Sequence, residues 1–229
     1  LDGLPRNYAT CGVTIQLEDC SNQTTYNVAG AIENESGVEA SDVAVQVTGD
    51  MDAEMTTDNS GTFGFSLIAD NNYVVSPEKD IDHRNGVSTF DLVLISKHIT
   101  GQQALNSPYK MIAADVNNTG SITTFDIIEL RKLILYINTE FPDNTSWRFV
   151  PSDHVFPNND PFASTFPEVY TINNLGTDMN VDFVAIKVGD VNESARANNL
   201  TAPGQTRSAG ELNFEVKDQL LNKGEAYTV

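Results

Sequence analysis

Apolar residues recur at two different periods along this chain, and the change of period divides it. From Tyr26 to Val75 they alternate with polar residues in short runs: Tyr26 to Ile32, Val43 to Val47, Thr62 to Leu67, and Tyr73 to Val75. A period of two puts every second side chain on one face, so each run predicts a half-buried strand. Glu35-Ser36-Gly37 and Asp58-Asn59-Ser60-Gly61 separate the runs with turn chemistry. Short strands, such turns and no helical period predict a small β-sandwich over residues 26–79. Beyond residue 80 the period changes. Leu92, Val93, Leu94, Ile95 and Ile99 follow Asp91, and Ile127, Ile128, Leu130, Leu133, Ile134 and Ile137 follow Asp126. Spacings of three, four and seven predict two short helices, each opened by an acidic loop, that bury their stripes against each other.

The flanks read differently. Residues 138–189 are aromatic and proline-rich, with Phe141-Pro142, Trp147, Phe149, Phe156-Pro157, Phe162 and Phe166-Pro167. They are expected to pack on the helices and to close in a strand from Val181 to Val188. Val13, Ile15 and Leu17 alternate within residues 1–25, which predicts the last strand of an upstream β domain. Residues 193–210 are small and polar, a linker composition. Residues 211–229 open a further β unit with Leu212, Phe214 and Val216. The expectation is a piece of a longer protein.

The two acidic loops are copies of each other. Val87-Ser88-Thr89-Phe90-Asp91 aligns with Ile122-Thr123-Thr124-Phe125-Asp126 at an offset of 126 − 91 = 35 residues. The second loop runs over twelve residues from Asp115. It places oxygen side chains at positions 1, 3, 5, 9 and 12, with Gly120 at position 6 for the sharp turn. Calcium takes six to eight hard oxygen ligands at roughly 2.4 Å, and a loop of this spacing wraps around one ion. Asp115, Asn117 and Thr119 are candidate side-chain ligands, Ser121 a carbonyl ligand, and Thr123 a direct or water-mediated one. Asp126 takes the last position in the first helical turn, where negative charge also suits the helix N-terminus. The competing reading is an Asx-turn leading into an N-capped helix. The first loop is looser. Asp80 and Asp82 take positions 1 and 3, but Arg84 falls at 5 and Gly86 at 7. Asn85 is left to take the turn and to lend an oxygen, followed by Ser88 and Asp91. A salt-bridged cluster of Arg84 with Asp80 or Asp82 competes there. Asp190-Val191-Asn192-Glu193-Ser194 repeats the opening of the second loop, yet no glycine or helix follows at the right distance, so it reads as a turn. Two calcium ions are therefore expected.

Charge narrows the partners. Asp and Glu number 32 against 13 Lys and Arg, a formal charge of −19, which disfavours nucleic acid and anionic membranes. No run of 18 apolar residues exists to insert into a membrane. Cys11 and Cys20 flank a strand-like stretch; they either pair with each other, pair with cysteines upstream, or stay as buried thiols. No nucleophile–base spacing, P-loop or dinucleotide fingerprint accompanies His83, His98 and His154, and nothing marks Glu129 and Glu168 as a glycosidase pair. The chain reads as a non-enzyme. His98 is expected on the solvent face of its helix.

Two stretches resemble known families. "VAGAIENESGVEASDVAVQVTG" with "TTDNSGTFGFSL" resembles the carboxypeptidase-regulatory-like, or Cna-B-like, sandwich, which serves as a spacer; with Lys79 at the very end of the unit, no isopeptide bond is expected. "NGVSTFDLVLISKHITG" and "DVNNTGSITTFDIIELRKLIL" resemble the type I dockerin of Bacteroidota-type secreted surface proteins. The fold class that follows is multidomain: an all-β sandwich, then an α-rich EF-hand-like module with an irregular extension over residues 80–192. The resemblance implies calcium, an extracellular or cell-surface location, and docking onto a cohesin-like domain through Thr89, Phe90, Thr124 and Phe125. Phe at that place reads as core more than as a recognition surface. Leu212 to Val229 weakly resembles the start of a cohesin-like domain, so such a partner lies in cis or in trans. The leading reading is a calcium-stiffened segment of an adhesin, stalk or filament. The alternatives are a dockerin that binds a cohesin-like partner, and a non-catalytic part of a secreted polysaccharide-degrading protein.

Overall fold

A computed structural model of the chain describes residues 23–197. They belong to the compact unit Leu1–Asn199; the second unit, Leu200–Val229, is outside the described residues. So are Cys11, Cys20, nearly all of the expected upstream strand, most of the linker, and the last β unit.

The alternating runs form strands where the period places them: β1 (Thr25–Glu33), β2 (Ala44–Gly49), β4 (Thr62–Ile68) and β5 (Tyr73–Glu78), with a short β3 (Ala53–Thr56) besides. Three helices follow, α1 (Thr89–Ile99), α2 (Pro108–Ala114) and α3 (Thr124–Ile134). The periodicity predicts α1 and α3 but not α2. Its signal is local: Ser107 caps the first turn by accepting from Tyr109 N–H, and Pro108 occupies a first-turn position. Four more strands follow among the described residues: β6 (Trp147–Pro151), β7 (Tyr170–Ile172), β8 (Met179–Asn180) and β9 (Phe183–Lys187).

These late strands overturn the expected fold class. One sheet runs β4-β1-β9-β6, with β8 also beside β1, and the other runs β3-β2-β5-β7. β9 lies parallel to β1, with Ile32 opposite Phe183, and β7 lies antiparallel to β5, with Tyr73 opposite Ile172. The described residues are mostly β, with two sheets and three short α-helices. It is not a sandwich followed by an α-rich EF-hand-like module with an irregular tail. The helices are inserted between β5 and β6, and residues the aromatic stretch supplies return to both sheets.

β9 explains why the helices cannot stand apart. Phe183 and Ala185 join the sandwich core with Val28, Ile32, Phe63, Leu67, Trp147 and Phe149. Ile186 joins a second core with Ile95, Ile112, Leu130, Leu133, Phe141, Val150 and Phe156. A strand buried on both faces reads as a continuous apolar run rather than an alternating one. "FVAIK" is such a run. Each fully buried aliphatic side chain contributes roughly 1.5–3 kcal/mol, so the shared strand couples the two cores.

Candidate metal centre

Loops and helix starts are built by the same device in both copies. Ser88 and Thr123 are N-caps whose side chains accept from Phe90 and Phe125 N–H. Asp91 and Asp126 close the capping box by accepting from the cap backbone N–H, at 2.9 and 2.7 Å. Each acid spends only one oxygen, Oδ2, in this way. Both residues are fully buried, so the other oxygen must find a partner inside the protein.

In the second loop that oxygen turns into the loop itself. Asp126 Oδ1 accepts from Asn117 N–H at 3.2 Å. Asp115 Oδ1 accepts from Thr119 N–H at 2.9 Å, and Oδ2 from Gly120 N–H at 2.7 Å. Asn118 and Gly120 take left-handed conformations, φ 54° and 76°, that curl the loop around its own centre. The amide head of Asn117 then lies among acceptors. Its oxygen stands 3.1 Å from Asp115 Oδ1, 2.9 Å from Thr119 Oγ1 and 3.0 Å from Asp126 Oδ1. Only the Thr119 hydroxyl can donate to it. Thr119 Oγ1 is also 3.4 Å from the Ser121 carbonyl. Two physical arrangements relieve this crowding of oxygens: the amide turned so that its NH2 donates, or a cation at the centre. Burial raises the Asp126 carboxyl above its ordinary range and the Asp115 charge adds to this, opposed by the N–H groups of Thr123 and Asn117.

The first loop does not close in the same way. Asp80 accepts from Ser146 N–H at 2.7 Å and faces His83 Nε2 at 3.2 Å. Arg84 stacks on the Tyr136 ring at 3.7 Å. Asn85 pairs twice with the Arg196 backbone, donating to its carbonyl at 2.8 Å and accepting from its N–H at 3.0 Å. Asp82 takes a left-handed backbone, φ 50°. Ser88 stays within its capping box with Asp91, while Asp91 and Gly86 face another segment. Asp91 Oδ1 accepts from Val191 N–H at 3.0 Å, and the Gly86 carbonyl accepts from Ser194 Oγ at 2.9 Å.

That segment carries residues the sequence reading left as a plain turn. Asp190 is buried, and burial with the nearby Asp91 charge pushes its carboxyl up to about 6 against N–H donors from Ala195, Ser194 and Asn192. Lys187, also buried, donates to the His83 and Val188 carbonyls at 2.8 and 3.1 Å. Burial pulls its amine down to about 7, against the charges of Asp190, Asp82, Asp80 and Asp91. Among the described residues no three His, Cys, Asp or Glu side chains gather as a metal cluster. The second loop instead assembles two carboxylates with neutral amide, hydroxyl and carbonyl oxygens.

Two expectations about the helices need correcting. Phe90 and Phe125 are exposed, 57% and 68%, because the capping boxes fix Asp91 and Asp126 inward and the residue before each must point out. His98 is half-buried, and its Nδ1 accepts from Leu105 N–H at 3.1 Å. Among the described residues no helix is long and apolar enough to cross a membrane.

No family model matches the chain, and no curated protein matches it. Two crystal structures of the C-terminal fragment of the pilus adhesin SpaC from Lactobacillus rhamnosus GG match part of it. One is 17% identical over 29% of this chain and 26% of that chain, with a TM-score of 0.24. The other, iodide-soaked, is 14% identical over 25% and 24%, with a TM-score of 0.22. The chain spans about a quarter of the length of that fragment. A likeness of that extent assigns neither family nor function.

Proposed function

We propose that this chain is a structural segment of a modular extracellular protein, stiffened by calcium held in the loop from Asp115 to Asp126. One observation carries the reading: side-chain oxygens of Asp115, Thr119 and Asp126 converge within 3.1 Å of one end of the Asn117 amide. Oxygens at such separations are the edges of a calcium coordination shell, and an ion at their centre supplies the positive charge two buried carboxylates lack. Asp115, Asn117, Thr119 and Asp126 would hold the ion by side chains and Ser121 by its carbonyl, with Thr123 bracing Asp126. The ion would lock the α2–α3 connection against the shared core, which is the mechanical service a stalk requires.

The test is thermal unfolding of the full chain in calcium and in EDTA. At a free calcium concentration one hundred times Kd, binding adds about 2.7 kcal/mol, or roughly 5–10 °C in Tm for a chain of this size. An unchanged melt refutes calcium and leaves the turned amide as the explanation.

The exposure of Phe90 and Phe125 favours a second reading, docking onto a cohesin-like partner. Phe90 with Val93, and Phe125 with Ile128, present matching apolar pairs on α1 and α3, and an exposed apolar patch marks interaction surfaces. Titration against cohesin-like domains with and without chelator, and with Phe125→Ser, tests it; no binding in either condition removes it.

A further inference from the structure

Asp190-Val191-Asn192-Glu193-Ser194 opens like Asp115-Val116-Asn117-Asn118-Thr119, and the fold handles the two segments alike. Ser194 N–H donates to Asp190 Oδ1 at 3.2 Å and Ala195 N–H to Oδ2 at 2.6 Å. Those are the fourth and fifth residues after the aspartate, as Thr119 and Gly120 are after Asp115. The third residue after each aspartate is left-handed, φ 60° at Glu193 and 54° at Asn118. Ser194 Oγ reaches the Gly86 carbonyl as Thr119 Oγ1 reaches that of Ser121. Asp91 Oδ1 accepts a backbone N–H from the 190s segment, as Asp126 Oδ1 does from its own loop.

What differs is the covalent connection. In the second loop Gly120 leads directly into Ser121. Here Ala195 ends one segment and Gly86 begins the other, 195 − 86 = 109 residues apart in sequence. A Cβ on Gly86 would lie 2.5 Å from Ala195 Cα and N, so the missing side chain is what lets the two backbones meet. The Asn85 amide then ties across to Arg196 by two hydrogen bonds. An amide side chain stands beside the break in place of a peptide link.

We propose that the second calcium position is a split site. Asp190, Asn192 and Ser194 take loop positions 1, 3 and 5, and the Gly86 carbonyl, Ser88 and Asp91 take positions 7, 9 and 12. The donor set repeats that of the second loop, two carboxylates with neutral oxygens, and not a bare group of acids. Asp80 and Asn85 are occupied with Ser146, His83 and Arg196 and serve as the frame behind it. A calcium ion there would bind the start of the insertion to the segment that follows β9. The inference rests on the calcium reading of the second loop.

The test counts ions on the full chain by isothermal titration calorimetry and native mass spectrometry after chelator treatment. The wild-type chain is expected to take two. Asn192→Ala and Ser194→Ala alter half-buried and exposed side chains; circular dichroism checks that both fold. Each is expected to weaken one ion at least tenfold and, combined with Asp126→Asn, to abolish tight binding. Asp80→Asn with Asp82→Asn is expected to keep two ions. Two tight ions in Asn192→Ala with one in the Asp80/Asp82 variant would overturn the split site in favour of the contiguous loop. A wild type that holds one ion, lost in Asp126→Asn, would overturn it and leave the second-loop reading intact. A wild type that binds none sinks both.

Discussion

Alanine at Gly86 probes the place where two distant segments touch, and Gly120 is the matched control. Both glycines have φ 76°. An L-residue in that region costs about 1 kcal/mol relative to glycine, so this part of the loss is common to both. At Gly120 nothing lies within 4 Å of the added Cβ; the expected loss ends there. At Gly86 the added carbon meets Ala195 Cα and N at 2.5 Å and its Cβ at 2.6 Å. Backbone has to move. Segment 194–196 would pull away, and with it go the Ser194 to Gly86 bond and both Asn85–Arg196 bonds. At about 1 kcal/mol each, these raise the Gly86→Ala loss to roughly 4 kcal/mol. Urea unfolding in EDTA measures both variants without calcium linkage. Losses that agree to within about 0.5 kcal/mol would refute the close approach, and with it the assembly of residues 190–195 against residues 85–91.

Three other expectations follow from the geometry. Phe90→Ser and Phe125→Ser should each shift stability by less than about 0.5 kcal/mol, since both rings are exposed; larger losses in urea unfolding would put the rings in a core. Leu130→Ala should cost about 3 kcal/mol by opening a cavity in the fully buried helical core, and a near-neutral result would deny that core. His83 should titrate below 6.5, its ordinary value, because burial disfavours its charged form more than Asp80 favours it. Its Nδ1 accepts from Phe141 N–H at 3.2 Å, which a protonated ring cannot do. With the folded value depressed, His83 stabilises the protein fully above pH 6.5 and loses that contribution as pH falls through its folded value; an NMR titration midpoint above 6.5 would contradict this.

Local pattern made much of the molecule legible. Alternation located β1, β2, β4 and β5, because a strand exposed on one face shows its period directly. The Thr-Phe-Asp repeats located α1 and α3, because the turn that opens each helix is set by residues two or three apart. The spacing of Asp115, Asn117, Thr119 and Asp126 marked the second loop for the same reason: its donors are near neighbours in sequence and converge by turning once.

Long-range contacts hid the rest. The continuous apolar run of β9 says that both faces are buried but not against what, and only the packed structure assigned one face to the sandwich and the other to the helices. That assignment turned an expected second module into an insertion between two strands of one body. Asp190 carried its signal in plain sight, in an Asp-Val-Asn that copies the second loop. Its complement, Gly86 to Asp91, lies on the far side of the entire helical insertion, and no sequence spacing encodes a contact formed through space. The sequence by itself determined the alternating strands, the starts of α1 and α3 and the donor types, which short-range stereochemistry dictates. The tertiary structure alone decided which half-loop faces which, because burial of β9 on both sides carries the segment that follows it back to Asp91.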